Sequence, residues 1–182
     1  WLPGLAAPTT GATPARACDG CPARRPLYAA VEVLGINLAY NLLNQAFRPA
    51  EERGQFQVGW NSWESNLKYG FEWDGNAFGV NQFGHPYQGG NYFTAARSNG
   101  LSFWESSAYA ALGSATWEYF GETHHPALND FINTTMGGMA IGEMLHRAGW
   151  LVRDPSKTGG ARTKSEVLAT LLDPVTGLNR FM

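Results

Sequence analysis

Small residues recur at every fourth position along two neighbouring stretches, and this spacing restricts what the chain can build. Ser106, Ala110 and Ser114 lead to Glu118; Thr134, Gly138 and Gly142 follow, with Gly138-Met-Ala-Ile-Gly142 matching GxxxG. Residues four apart share a helix face, so both stretches predict helices with one face free of bulk. Such faces let two backbones approach closely. A glycine inside a helix costs roughly 1 kcal/mol against alanine, so Gly137, Gly138 and Gly142 call for a packing reason. The pattern predicts a tight helical hairpin over 102–147, with the two small-residue faces against each other. Ser102-Phe-Trp-Glu105 reads as a capping box. Gly121 is expected as a left-handed helix stop, and Pro126 as a first-turn residue of a helix starting near Asn129 or Asp130. The flanking Phe103, Trp104, Tyr109, Met136, Met139 and Leu145 read as packing surface. The glycine face admits three readings: a soluble core, packing in or against a membrane, or a bound ligand.

Composition narrows the partners. Net charge is −2 and no basic run is present, which argues against nucleic acid. Charged residues make up 15%, below the roughly 25% of ordinary soluble domains. The seven Trp, seven Tyr and ten Phe lean toward a membrane interface or a large partner surface. The longest apolar stretch, Leu27 to Phe47, is interrupted by Glu32, Asn37, Asn41, Asn44 and Gln45, short of the ~18 unbroken residues of a spanning helix.

Taken in order, residues 1–26 carry Pro3, Pro8, Pro14, Pro22 and Pro26 without hydrophobic periodicity, and predict an extended arm. The chain opens on Trp1 with no visible signal peptide, so a processed or excised piece of something longer is expected. Cys18 and Cys21 predict a local disulfide, with a free or regulatory pair as the alternative; zinc, haem and thioredoxin-like readings lack their partner motifs. Residues 27–47 predict a long helix, buried or lying at an interface, ended by Pro49. Residues 50–91 predict a long aromatic, Gly/Asn-rich loop containing a short helix from Trp60. Tyr92–Ser98 predicts a short helix stopped at Asn99-Gly100. Residues 27–150 therefore form one mainly α helical domain. Residues 151–182 predict a linker and a short helix opened by a second capping box, Thr163-Lys-Ser-Glu166, before a turn at Asp173–Gly177.

Polar groups concentrate in and beside the hairpin. The leading reading is a structural network of Arg97, Glu118, Asp130 and Asn133, with the Arg97 fork bridging two carboxylates. Catalysis is unassigned, with His85, Arg97, Glu118, Glu122 and Asp130 as candidates. A hydrolytic arrangement would add Ser102 or Ser106 as nucleophile, without a nucleophile-elbow motif to support it. Glu122-Thr-His-His125 and Glu143-Met-Leu-His146 both match ExxH, the unit of carboxylate-bridged di-iron bundles. Yet the first falls in a turn, and Glu143 can pair with Arg147 instead. No metal or other cofactor is expected; Glu122, His125, Glu143 and His146 are the residues a metal would use.

Several linked motifs carry a family likeness: Gly70-Phe-Glu-Trp-Asp74, Asn81-Gln-Phe-Gly-His-Pro-Tyr87, Tyr92-Phe-Thr-Ala-Ala-Arg-Ser-Asn-Gly100, Trp117-Glu-Tyr-Phe-Gly-Glu122, Asn129-Asp130, and Gly137-Gly138 through Gly142-Glu143 to Arg147. Over about residues 60–150 they resemble the bacterial family termed domain of unknown function 3943. The ending Asp173-Pro-Val-Thr-Gly-Leu-Asn-Arg180 is similar to that family as well. The resemblance implies an envelope protein of a Gram-negative-type bacterium, with a strand-rich, outer-membrane-like region beyond this chain, and it implies no established activity. More locally, Glu118 to Gly137 resembles the acidic helix pair of VanZ-like membrane proteins. The expected function is a non-catalytic envelope module, in the periplasm or at the outer membrane. Its partners would be membrane lipid or other envelope subunits of a larger complex. The alternatives are a hydrolase or transferase acting on lipid or envelope glycan, and a metal-binding helical domain.

Overall fold

The structure, a computed structural model, describes residues 23–75 and 78–180. Seven α-helices stand among the described residues: α1 (Pro26–Phe47), α2 (Trp60–Tyr69), α3 (His85–Ser98), α4 (Phe103–Phe120), α5 (Leu128–Val152), α6 (Gly159–Leu172) and α7 (Pro174–Asn179). The protein is mainly α, as its periodicities predict. Cys18 and Cys21 lie outside the described residues.

The frame is an up-down-up-down bundle of α1, α3, α4 and α5. The Arg25 amide donates to the Asn99 carbonyl, which sets the start of α1 beside the end of α3. Asn41 donates to the Gly121 carbonyl, which sets the other end of α1 beside the end of α4. α3 and α5 run parallel, since His85 meets Thr134 near both starts and Arg97 meets Glu143 toward both ends. We call the end holding Arg25, Asn99 and Ser102 the arginine end, and the end holding His85 and Glu122 the histidine end.

α3 is the central rod. Tyr92, Phe93, Ala95 and Ala96 are fully buried, and α1, α4, α5 and α7 all pack against it. Here the hairpin expectation needs correcting. α4 and α5 are antiparallel neighbours, and the Ser114 hydroxyl donates to the Phe131 carbonyl between them. The closest approach on the glycine face of α5, however, belongs to α3. A Cβ on Gly138 would lie 2.5 Å from the carbonyl carbon of Gly89, and one on Gly142 would lie 2.8 Å from the Phe93 ring. Ala110 packs in the core with Tyr92 and Phe93, and Gly113 leaves room for the Tyr92 ring. The two small-residue stripes thus serve a third helix, whose first half, up to Asn91, the sequence predicts as loop and whose second half, Tyr92–Ser98, it predicts as a short helix.

That loop expectation fails because α3 is enclosed on nearly every side and so shows no amphipathic period. A π-helical turn, Val80–Gly84, leads directly into α3, and residues 50–91 also contain α2. The Ser102–Glu105 capping box forms as predicted, with reciprocal bonds of 2.8 and 3.3 Å. Gly121 has φ −91 and is no left-handed stop. Pro126 precedes α5, which starts at Leu128 and runs on to Val152. Residues beyond 150 do not leave the fold. α6 and α7 pack back onto α5 and α3, and Arg153 and Asp173 are buried. α6 begins at Gly159, so Thr163 lies inside it and the second capping box is not formed. Glu166 instead pairs with Arg153 at 2.9 Å.

α1 joins the bundle through polar side chains. Asn37 donates to the Gly113 carbonyl and Thr116, and accepts from the Tyr92 hydroxyl. Asn41 bonds the Phe56 and Gly121 carbonyls at 2.8 and 2.9 Å. Glu32 accepts from Asn99 and Asn179. Glu32, Asn37, Asn41 and Gln45, which break the apolar run in the sequence, fasten the helix to its neighbours alongside the buried Ala29 and Val33.

Candidate functional site

The histidine end gathers most of the polar groups singled out in the sequence. His85 opens α3, where Pro86 at the first turn suits the fixed proline φ. The Pro86 ring fits over Gly137, where a Cβ would come within 2.6 Å of it. This seating aims the His85 ring at α5. Its Nδ1 lies 3.1 Å from Thr134 Oγ1, and its Nε2 lies 3.6 Å from Asp130 Oδ2. The second distance is longer than a normal hydrogen bond, and burial pushes His85 down to about 4, against the raising charge of Asp74, so the ring meets Asp130 as a neutral imidazole. Asn129 donates to Asp130 Oδ1 at 3.0 Å and exchanges bonds with the Asp74 backbone. A β-bridge between Glu72 and Ala127 holds the 70–75 segment beside the start of α5.

Two further carboxyls stand nearby at the end of α4. Glu118 Oε2 accepts from the Ala127 amide at 2.9 Å; its Oε1 is buried without a hydrogen-bond partner. Glu122 Oε1 accepts from the Trp117 indole at 3.0 Å. Burial pushes the Glu122 carboxyl up to about 7, against the lowering bond from Trp117 and with the Asp74 charge adding to the rise. A cleft of about 280 Å³ opens here, lined by Arg48, Glu52, Phe56, Val80, His85 and Glu122.

Of the five catalytic candidates, His85, Glu118, Glu122 and Asp130 come together and Arg97 does not. Arg97 sits at the arginine end, bonded to Glu143 at 2.9 Å and to the Leu101 carbonyl at 2.8 Å. The expected bridge from Arg97 to Glu118 or Asp130 is therefore absent. Arg97 lies twelve positions beyond His85 on one helix, roughly 18 Å along its axis. Asn133 stays with the histidine end and donates to the Asn81 carbonyl. The serine candidates are also at the wrong end. Ser102 caps α4 beyond the far end of α3, and Ser106 is buried one turn further on.

The ExxH residues separate as well. Glu143 is clasped by Arg97 and, as predicted, by Arg147. His146 bonds Asp173 at 3.1 Å; burial would raise Asp173, but the bonds from His146 and Thr176 outweigh it and hold that carboxyl below its usual range. His125 stacks on Tyr69 beside Glu72. Among the described residues no group of three His, Cys, Asp or Glu side chains is placed to hold a metal ion.

The sequence reading missed Thr134 as the His85 partner, and Asp74 and Asn129 as a reciprocal clasp. The Gly89-Gly90 doublet was the available signal that a helix approaches here.

The second feature of the molecule is its outer surface. Leu34, Leu38 and Leu42 on α1 are all more than half exposed, and Leu38 is 60% exposed. Trp104 on α4 and Met136 and Met144 on α5 are likewise exposed. The α1 leucines are positions whose spacing predicts a buried or interface-lying face, and Trp104, Met136 and Met144 are positions expected as packing surface; the structure leaves all of them exposed.

The family model described as Domain of unknown function (DUF3943) matches residues 70–175. The chain belongs to this family. The match runs past the 60–150 span of the sequence likeness to include α6, consistent with α6 packing onto α5 as part of the DUF3943 fold. Comparison with curated proteins and with solved structures found no match. The DUF3943 assignment carries no activity.

Proposed function

We propose that this DUF3943 chain is a non-catalytic structural or interaction module of the bacterial cell envelope, held against an apolar partner as part of a larger assembly. One observation carries the reading: the outward faces of α1, α4 and α5 present large apolar side chains, including Leu27 at 81% and Phe47 at 81% exposure. Large apolar side chains exposed along three helices supply what an apolar interaction surface needs. The placement in the envelope draws on what the family resemblance implies. Size-exclusion chromatography of the chain with and without detergent tests the module. Aggregation or column adsorption without detergent, relieved by detergent or by a co-expressed envelope partner, is expected. A clean monomer in plain buffer would refute it.

A second reading, a hydrolase or transferase acting on lipid or envelope glycan, is favoured by His85 lying beside Thr134 and Asp130 at an open cleft. It is the weaker reading, because neither serine candidate reaches that cleft and Arg97 stands apart. Turnover of a lipid or glycan substrate that is lost in His85→Gln would restore it. The metal-binding alternative is not carried forward, since its ligands are dispersed.

A further inference from the structure

Large aliphatic side chains lie outside the bundle along its length, around a core that holds Val33, Tyr92, Phe93 and Ala110 together with buried polar groups. On α1 the outward positions are Leu27, Val31, Leu34, Leu38, Leu42 and Phe47, while Glu32, Asn37 and Asn41 turn inward and bond to other helices. α5 repeats the arrangement: Leu128, Ile132, Met136 and Met144 face out, whereas Asp130, Thr134 and His146 are buried. Water favours the opposite distribution. A helix with its polar groups satisfied inside and its apolar groups outside matches a hydrocarbon solvent.

Charge follows the same plan. No charged residue lies between Glu32 and Arg48 on α1, His85 and Arg97 on α3, Glu105 and Glu118 on α4, or Asp130 and Glu143 on α5. These intervals fall at one level of the bundle and make an uncharged belt roughly 18–24 Å tall. Charged residues of both signs resume at both ends: Arg24, Arg25, Glu105 and Arg147 at one, Arg48, Glu51, Glu52 and Arg53 at the other, the level at which polar headgroups begin. Exposed aromatics mark the same two levels. Tyr28, Trp104 and Trp150 stand at the arginine end, and Trp60, Tyr69, Trp73 and Phe120 at the histidine end. From Tyr28 to Phe47 along α1 is roughly 28 Å, close to the ~30 Å hydrocarbon core of a bilayer. Two aromatic rings around an aliphatic middle are the arrangement of membrane-interface belts.

We infer that the α1, α3, α4 and α5 bundle is inserted across a lipid bilayer, with bilayer lipid covering the outer faces of α1, α4 and α5 and the histidine and arginine ends at opposite headgroup layers. This rests on the module reading above and names its partner as bilayer lipid. By length and composition α1 is apolar enough to cross a membrane, the one such helix among the described residues; Leu112 on α4 and Ile132, Met136 and Met144 on α5 are exposed aliphatic side chains of the helices beside it.

The test uses the full chain, with Cys18 and Cys21 replaced by serine, reconstituted in phosphatidylcholine/phosphatidylglycerol vesicles. Single cysteines at Leu38, Leu112 and Met136, all exposed, with Gln57 and Lys157 as end controls, carry a nitroxide spin label. The three mid-belt labels should be accessible to oxygen and lose accessibility to a water-soluble nickel chelate, while the two controls remain open to the chelate. As a label-free check, native tryptophan fluorescence should be quenched more by lipids brominated near the headgroup than by lipids brominated at the chain ends. Mid-belt labels as open to nickel as Lys157 would overturn the insertion. If the protein then still needs detergent or a protein partner, only the lipid assignment falls. If it is a clean monomer in plain buffer, the module reading falls with it.

Discussion

Replacing Gly89 with alanine should unseat the central helix, whereas the same change one residue on should not. A Cβ at Gly89 would sit 1.8 Å from the Thr134 carbonyl oxygen, 2.8 Å from the Thr134 carbonyl carbon and 3.0 Å from Gly138 Cα. All three are backbone atoms of α5, so no side chain can swing aside. The rods would have to separate by about 1.5 Å to restore ordinary contact, in an interior packed near crystal density. Overpacking of this kind costs about 1–3 kcal/mol and more where backbone must move. Alanine returns about 1 kcal/mol of helix propensity. Three backbone contacts at once put the cost at or above the top of that range, so after the propensity gain we expect Gly89→Ala to lose about 2 kcal/mol or more. At Gly90 the nearest neighbour of a new Cβ is 3.6 Å away, so Gly90→Ala keeps the propensity gain and is neutral or stabilised by up to about 1 kcal/mol. Unfolding of the two variants followed by circular dichroism, in one detergent, reads the difference. Equal midpoints, or a less stable Gly90→Ala, would refute the claim that α3 rather than α4 fills the glycine face of α5.

Asn41→Leu keeps volume but strips the donor from the Phe56 and Gly121 carbonyls, and should cost about 1–3 kcal/mol in the same unfolding assay. Leu38→Asp separates two surroundings of α1: an exposed side chain in water changes stability by about 0.5 kcal/mol or less, whereas an acidic group in mid-bilayer costs about 2.5–3.5 kcal/mol. Reconstitution yield and thermal midpoint in vesicles should both fall for this variant, and unchanged values would count against lipid at that face. Glu122, raised to about 7 by burial, binds its proton more tightly folded than unfolded, so its contribution is fully present below about 4.5 and is lost as pH rises through about 7. Stability of the native chain relative to Glu122→Gln should decline over that window, and parallel profiles would show the shift to be absent.

The helical periodicity of α1, the Ser102 capping box and the small-residue spacing on α4 and α5 were all legible in the sequence, because each is set by residues within a turn or two of one another. α3 was not. Gly89, Gly90, Tyr92 and Phe93 face packed neighbours on several sides, so no polar stripe alternates with an apolar one to reveal the helix. The histidine-end cluster was half legible. Glu118, Glu122, Asp130 and His85 stood out as charges in a charge-poor chain, yet Arg97 was assigned to them although it belongs with Glu143. Spacing along one helix places residues on a face; it does not say which end of the bundle that face meets.

Local chemistry alone determined that this chain is helical, where α4 starts, and that some helix had to approach the glycines of α5. Tertiary structure decided which helix did so, since a groove of small residues accepts any rod slender enough to enter it, and α3 carries its own Gly89 at that level. It also decided the sense of α1. An amphipathic sequence has two faces, and nothing in their spacing tells which turns inward. Here the carbonyls of Phe56, Gly113 and Gly121 need donors, and Asn37 and Asn41 supply them, so the amide face is drawn into the bundle and the leucines are left outside.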